Sequence, residues 1–298
     1  MTTTASSANT SPGTSSSTQT HAWSAAVQDE IAQAEHTPWL AGKTAVVAGG
    51  GLSGPEGGVG FAMAWLFSRA GARIAVLDRD QEAAQRTVDA VREAGGQASR
   101  FAVDLTDESD VLATVDRVLA EYGSIDVVGN SVGGGGITGI FETSLEDYQR
   151  AFDVNLGTAL LLMRAVQPHM ASGGAIIHVS SGAVEGRGPG LPYTLAKTAL
   201  EKLCVGAAAT LAPRGIRVNC IRVGMIWGAF AARGMTQERR ELRAGSVALH
   251  TEGNVWDIAS AAHFLCTPAA RWITGQVLPV DGGGTVAPSA GQAGSSTS

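Results

Sequence analysis

Residues Lys43–Phe67 read KTAVVAGGGLSGPEGGVGFAMAWLF, and the fold follows from how the three parts of this stretch join. Thr44–Ala48 is apolar apart from its first residue, Gly49–Gly60 is a glycine-rich run, and Phe61–Phe67 is apolar throughout. A short apolar run stopped by glycine reads as a buried strand, and the apolar segment beyond it as a helix. At a strand-to-helix turn the missing Cβ atoms let the backbone approach an anion, which the free N–H groups of the helix N-terminus then face. A glycine-rich surface loop would carry the same residues, so the turn needs support from elsewhere in the chain.

Working outward, the same alternation repeats. Lys43–Ala48, Arg73–Leu77, Ser99–Val103, Ile125–Gly129, Ala175–Val179 and Arg217–Ile221 read as buried strands, with Gln276–Val280 as a seventh, and helix-like stretches separate them. Asp80 and Thr106 stand as N-caps of the second and third helices, and Gly95-Gly96 and Gly123 as their ends. Continuous apolar strands alternating with helices predict an α/β fold, a doubly wound parallel sheet covered on both faces, within a single domain over 41–284. Residues 1–22 are rich in Ser and Thr, without charge or periodicity before His21, and read as a disordered tail. Residues 23–40 have near-helical apolar spacing (Trp23, Val27, Ile31, Ala34) and read as a helical extension; 285–298 read as a flexible tail.

Composition narrows the function. The chain has 298 residues, 21 Lys+Arg against 27 Asp+Glu and a net charge of −6, without a basic block suited to nucleic acid or an anionic membrane. No run approaches the roughly 18 apolar residues of a membrane span, and the N-terminus lacks a leader pattern. Cys204, Cys220 and Cys266 are far apart and embedded in apolar sequence, as expected of buried thiols in a reduced, cytoplasmic protein. The six His show no metal-ligand spacing, so no metal is expected. The second strand ends at Asp78, about 20 residues beyond the glycines, where a carboxylate can accept both hydroxyls of an adenosine ribose and repel a 2′-phosphate. That favours NAD over NADP, although Arg79 beside it could pair with such a phosphate.

Further along, Tyr193 and Lys197 lie at i and i+4 at the start of a helix running to about Leu211, so their side chains share a face. An ammonium beside a phenol favours its phenolate and lowers its pKa, which makes a usable proton donor and acceptor. With Ala175–Ser181 (AIIHVSS) just upstream and Ile216–Asn219 (IRVN) just downstream, the pattern resembles the short-chain dehydrogenase/reductase family over about Leu40 to Gly284. The glycine turn, Asp104-Leu105-Thr106, Asn130–Gly133, Asp153-Val154-Asn155, Ser180-Ser181 and the Val280–Gly283 segment complete the resemblance in the family's order.

The resemblance implies a Rossmann-type fold and hydride transfer between a nicotinamide cofactor and a secondary alcohol or ketone. It implies Tyr193 as general acid/base, Lys197 as the group that lowers its pKa and holds the nicotinamide ribose, Ser181 (with Ser180 as fallback) on the reacting oxygen, and Asn155 holding a relay water. Gly49, Gly58, Val59 and Gly60 would form the phosphate turn. Asp104 and Leu105 would flank adenine, and Asn130, Gly133, Gly224 and Ile226 would line the cleft. It also implies a homotetramer. The turn departs from the family pattern by five extra residues, so Gly51, Leu52 or Ser53 could instead touch the phosphates. Met225, Trp227, Phe230 and Met235 suggest an apolar pocket for a hydrophobic or ring-bearing substrate, while lid packing or subunit contact would use the same residues; the Glu238–Arg243 cluster reads as the solvated face of a lid helix. Two other readings stand beside this one: an NADPH-dependent C=N or C=C reductase, motivated by Arg79, and a non-catalytic dinucleotide sensor.

Overall fold

Strand β1 (Thr44–Ala48) is buried at all five positions because it has a parallel neighbour on each side. One is β2 (Arg73–Asp78); the other is β4 (Val127–Asn130). Together with β3 (Gln97–Ala102), β5 (Ala175–Ser181), β6 (Arg217–Val223) and β9 (Val277–Val280) they form one parallel sheet in the order β3-β2-β1-β4-β5-β6-β9. The order reverses between β1 and β4, so the connections leaving these strands diverge to opposite faces and open a crevice at their carboxyl ends. The computed structural model describes residues 39–134, 139, 141–186, 190–232 and 235–286.

Helices α1 (Val59–Arg69), α2 (Gln81–Glu93), α3 (Glu108–Tyr122), α4 (Leu145–Phe152), α5 (Thr158–Val166), α6 (Leu191–Leu211), α7 (Gln237–Gly245) and α8 (Val255–Cys266) follow the strands. Two apolar clusters, one on each face of the sheet, form the core. Phe67, Met63 and Ile258 belong to the first; Leu162, Leu200 and Val218 to the second. That two-sided burial is why the central strands β1, β2 and β4 carry no polar alternation, while the edge strand β3 does.

The seven expected strands are present with shifted ends. β4 begins two residues late because Asp126 turns its carboxylate back to the Thr44 N–H at 2.9 Å, while β5 continues to Ser181. Asp80 caps α2 through the N–H groups of Glu82 and Ala83. The cap of α3, expected at Thr106, is Asp107, which accepts from Ser109 and Asp110; Thr106 instead donates its hydroxyl to Asp104 at 2.6 Å. A small parallel pair absent from the sequence reading joins β7 (Ile226–Trp227) to β8 (Gly253–Asn254). The expected tail over 1–22, the extension through residue 38 and the tail from 287 lie outside the described residues. Trp39 and Leu40 form part of a turn, and Leu40 is buried with its N–H on the Ala70 carbonyl at 2.9 Å.

Candidate active site

The crevice above the switch point is a cleft of about 1620 Å³. It exceeds the roughly 300–1,000 Å³ of pockets for single small ligands and has room for a dinucleotide beside a substrate. Its floor is the glycine turn. Gly49 takes φ +69°, and its carbonyl lies 2.1 Å from where a Cβ on Gly60 would stand, so residue 60 tolerates no side chain. Gly49, Gly51, Ser53, Gly58, Val59 and Gly60 face the cleft; the Leu52 N–H is tied to the Ala83 carbonyl at 2.9 Å. The extra residues swing the other way. The Gly57 carbonyl accepts the Ala229 N–H at 2.8 Å, and Glu56 accepts the Trp227 indole N–H at 2.8 Å.

At the end of β2, Asp78 accepts the N–H of Gly51 at 2.9 Å and that of Asp80 at 3.0 Å, which aligns its carboxylate with the turn. Asp104 and Leu105 line the same end. The Thr106 hydroxyl, its N–H and, more weakly, the Arg79 guanidinium hold the Asp104 carboxyl below its ordinary range. Backbone amides, an acidic strand end and this volume together fit a dinucleotide.

Helix α6 brings the second group. Tyr193 and Lys197 project toward the cleft from its first turns, and Ser181, the last residue of β5, lines the same wall and accepts the Ala183 N–H at 3.2 Å. Its neighbour Ser180 is buried, and its hydroxyl donates to Glu201 at 2.9 Å. The Lys197 ammonium is buried, donates to the carbonyls of Val179 (2.9 Å) and Val132 (3.3 Å), and lies 5.9 Å from the centre of the Tyr193 ring. Desolvation lowers its pKa to about 8. The Tyr193 pKa, expected to fall under the ammonium, is instead raised by burial and only partly pulled back by the Ser181 hydroxyl.

Asn155 sits in a five-residue π-helical turn (Asp153–Gly157) between α4 and α5. Its amide is buried and locks Gly134, donating to that carbonyl at 2.6 Å and accepting its N–H at 3.1 Å. Such bulges recur at functional sites because they re-aim one side chain without ending the helix. Gly133 fits between Lys197 and Asn155, where a Cβ would lie 2.8 Å from the ammonium. Asn130 is not on the cleft wall; it is buried, receives the Val132 N–H at 3.0 Å and bonds His178 Nδ1 at 3.2 Å. Gly224, Met225, Ile226 and Phe230 line the substrate side. Trp227 turns away from it, because Glu56 holds its N–H and the Arg240 guanidinium stacks 3.8 Å from its ring centre.

Sequence reading missed the cluster behind the wall that carries Tyr193 and Lys197. Glu201, two helical turns beyond Tyr193 on the same face, is buried and receives Arg222 bidentately at 2.9 and 2.7 Å; Arg222 also reaches Glu185. The i, i+4, i+8 spacing of Tyr193, Lys197 and Glu201 was the available signal. The lid-helix cluster is not wholly solvated either, since Arg239 and Arg243 line the cleft.

A parallel sheet with a switch-point cleft, a glycine turn and a Ser/Tyr/Lys wall defines a dinucleotide-dependent oxidoreductase. Comparisons with known proteins agree. The family model described as enoyl-(acyl carrier protein) reductase matches residues 54–285. The 7alpha-hydroxysteroid dehydrogenase of Escherichia coli K12 is 34% identical over 248 residues, 82% of this chain and 95% of that one. A solved 7alpha-hydroxysteroid dehydrogenase complexed with NADH and 7-oxo glycochenodeoxycholic acid superposes with a TM-score of 0.77 at 33% identity, covering 83% of this chain and 96% of that one. A short chain dehydrogenase from Burkholderia cenocepacia in complex with NADP gives 0.74 at 28% identity, covering 83% and 99%. The chain belongs to the short-chain dehydrogenase/reductase family, whose members work with a nicotinamide dinucleotide. Among the described residues no helix is long and apolar enough to cross a membrane.

Proposed function

We propose that this chain is an NAD-dependent dehydrogenase that interconverts a secondary alcohol and a ketone, with Tyr193 as general acid/base. The observation that carries the reading is the convergence of Ser181 and Tyr193 on one cleft wall, with the buried Lys197 ammonium 5.9 Å from the Tyr193 ring centre. A bound nicotinamide supplies or accepts the hydride. The protein's part is the proton and the orientation. In reduction, Ser181 and Tyr193 both donate to the carbonyl oxygen and Tyr193 gives up its proton; in oxidation the phenolate takes the hydroxyl proton back. The Lys197 charge favours that phenolate against the burial that opposes it, and its fixed position also suits a ribose hydroxyl. Asn155, by holding Gly134, fixes the strand exit from which Val132 receives Lys197.

Asp78 supports NAD, since a 2′-phosphate at the end of β2 would meet its carboxylate, while the Arg79 charge falls on Asp104. Met225, Ile226, Phe230 and Met235 support an apolar, ring-bearing substrate. Exposed Leu160 on α5 and Leu195 and Val205 on α6 support assembly through these helices, with a tetramer as the expected mass in light scattering.

The test is the initial rate of nicotinamide reduction with NAD and NADP in parallel across aliphatic, cyclic, aryl and steroid alcohols. NAD-dependent turnover that falls about 10²–10⁴-fold in Tyr193→Phe is the expected result. Turnover that survives the substitution overturns the role of Tyr193, and a preference for NADP overturns the argument from Asp78.

A further inference from the structure

The basic side chains around the cleft are not equally satisfied. Arg150 pairs with Glu146, Arg222 with Glu201 and Glu185, and Lys197 with two carbonyls. Helix α7 differs. Arg240 is bound bidentately by Glu252 and lies over Trp227, but Arg239 and Arg243, one helical turn apart, face the cleft with no carboxylate within 4 Å among the described residues. Arg243 is partly buried. Among the described residues its donors reach only the Met235 thioether at 3.0 Å and the Ile226 carbonyl at 3.3 Å. A thioether is a weak acceptor, so this guanidinium gives up water for little in return. Burial and the neighbouring Arg239 both lower its pKa, and the Glu252 charge, already committed to Arg240, compensates only in part. A cation held this way in a ligand cleft is stabilised by an anion that arrives with the ligand.

We propose that the substrate is acidic: Arg243, assisted by Arg239, receives a carboxylate on the apolar alcohol or ketone bound beside Tyr193. This deepens the reading given under Proposed function and rests on it. The substrate is assigned in preference to the cofactor diphosphate because the glycine turn already supplies the backbone for that group. Arg243, in contrast, sits against Met235 and Ile226 on the apolar wall. The substrate class becomes an oxo or hydroxy acid whose ring or chain lies along that wall.

The experiment uses the full chain loaded with NADH and three cyclic oxo acids of increasing length, each also supplied as its methyl ester. Binding is read by quenching of NADH fluorescence and turnover by loss of its absorbance. The expected result is at least one pair in which the acid binds about tenfold or more tightly than the ester, a preference that weakens with salt. Arg243→Met abolishes that preference by weakening the acid alone, Arg239→Met reduces it, and Arg243→Lys recovers part of it. Equal binding of acid and ester in every pair, no binding of any acid at millimolar concentration, or a preference that survives Arg243→Met overturns the proposal. Weakened NADH binding in Arg243→Met with an unchanged acid-to-ester ratio also overturns it, and assigns the arginine to the diphosphate. Acid-selective binding lost in Arg243→Met but without turnover of any ketone supports the anion site and overturns the redox reading instead.

Discussion

Acid should unfold this protein through a residue outside the reaction. His178, in the middle of β5, is fully buried; its Nδ1 bonds the Asn130 amide at 3.2 Å, and its Nε2 finds no partner among the described residues. Desolvation, reinforced by the nearby Lys197 ammonium, lowers its pKa from 6.5 to about 3. The folded state therefore refuses a proton that the unfolded chain accepts below pH ~6.5, so stability is at its full value above that pH and is lost as pH falls toward about 3. Integrating over that window gives a loss of about 0.8 kcal/mol at pH ~6 and about 2 kcal/mol at pH ~5, using 1.36 kcal/mol per pKa unit. Unfolding carboxylates contribute little above pH ~5, because their ordinary values lie near 4. Urea unfolding of wild type and His178→Gln at fixed protein concentration, from about pH 7.5 to about pH 5, measures the difference in slope, and the absolute stability of the variant does not enter. The variant should lose about 2 kcal/mol less than wild type over the range. Equal losses to within about 0.5 kcal/mol would refute the buried neutral imidazole.

Three further outcomes follow from particular contacts. Gly60→Ala puts a Cβ 2.1 Å from the Gly49 carbonyl and 2.6 Å from the Ser131 hydroxyl. It should cost about 1–3 kcal/mol in urea unfolding and most of the NADH affinity in a fluorescence titration. Arg222→Met strands the buried Glu201 carboxylate with Ser180 alone and should cost about 3–5 kcal/mol, much of it recovered in the double variant with Glu201→Gln, where no charge is left unpaired. Lys197→Met removes an ammonium whose pKa is lowered from 10.5 to about 8, so at neutral pH it should abolish turnover yet raise the stability of the cofactor-free protein by about 1–2 kcal/mol. A lower urea midpoint in that variant would show that the carbonyls of Val132 and Val179 more than compensate the ammonium for its burial.

The sequence by itself determined the sheet and its cleft. Strands buried on both faces are largely apolar, so β1, β2 and β5 stand out in the chain, and the glycine turn between β1 and the next helix gains its meaning from Asp78 and the Tyr193–Lys197 pair that follow it. Helical spacing alone also puts Tyr193 and Lys197 on one face. Tertiary structure decided what depends on groups far apart in the chain. It committed the Ser180 hydroxyl to Glu201 and left Ser181 on the cleft wall with Tyr193. It took Trp227 out of the cleft, through a glutamate 171 residues away that belongs to the lengthened turn. It raised the Tyr193 pKa where a fall was expected, because burial of the phenol is a property of packing. It also separated Arg240 from Arg239 and Arg243, three neighbours of one charge on one helix, by giving only the first a carboxylate. Local spacing fixes which side chains share a face; what each face meets is set by elements that arrive from elsewhere in the chain.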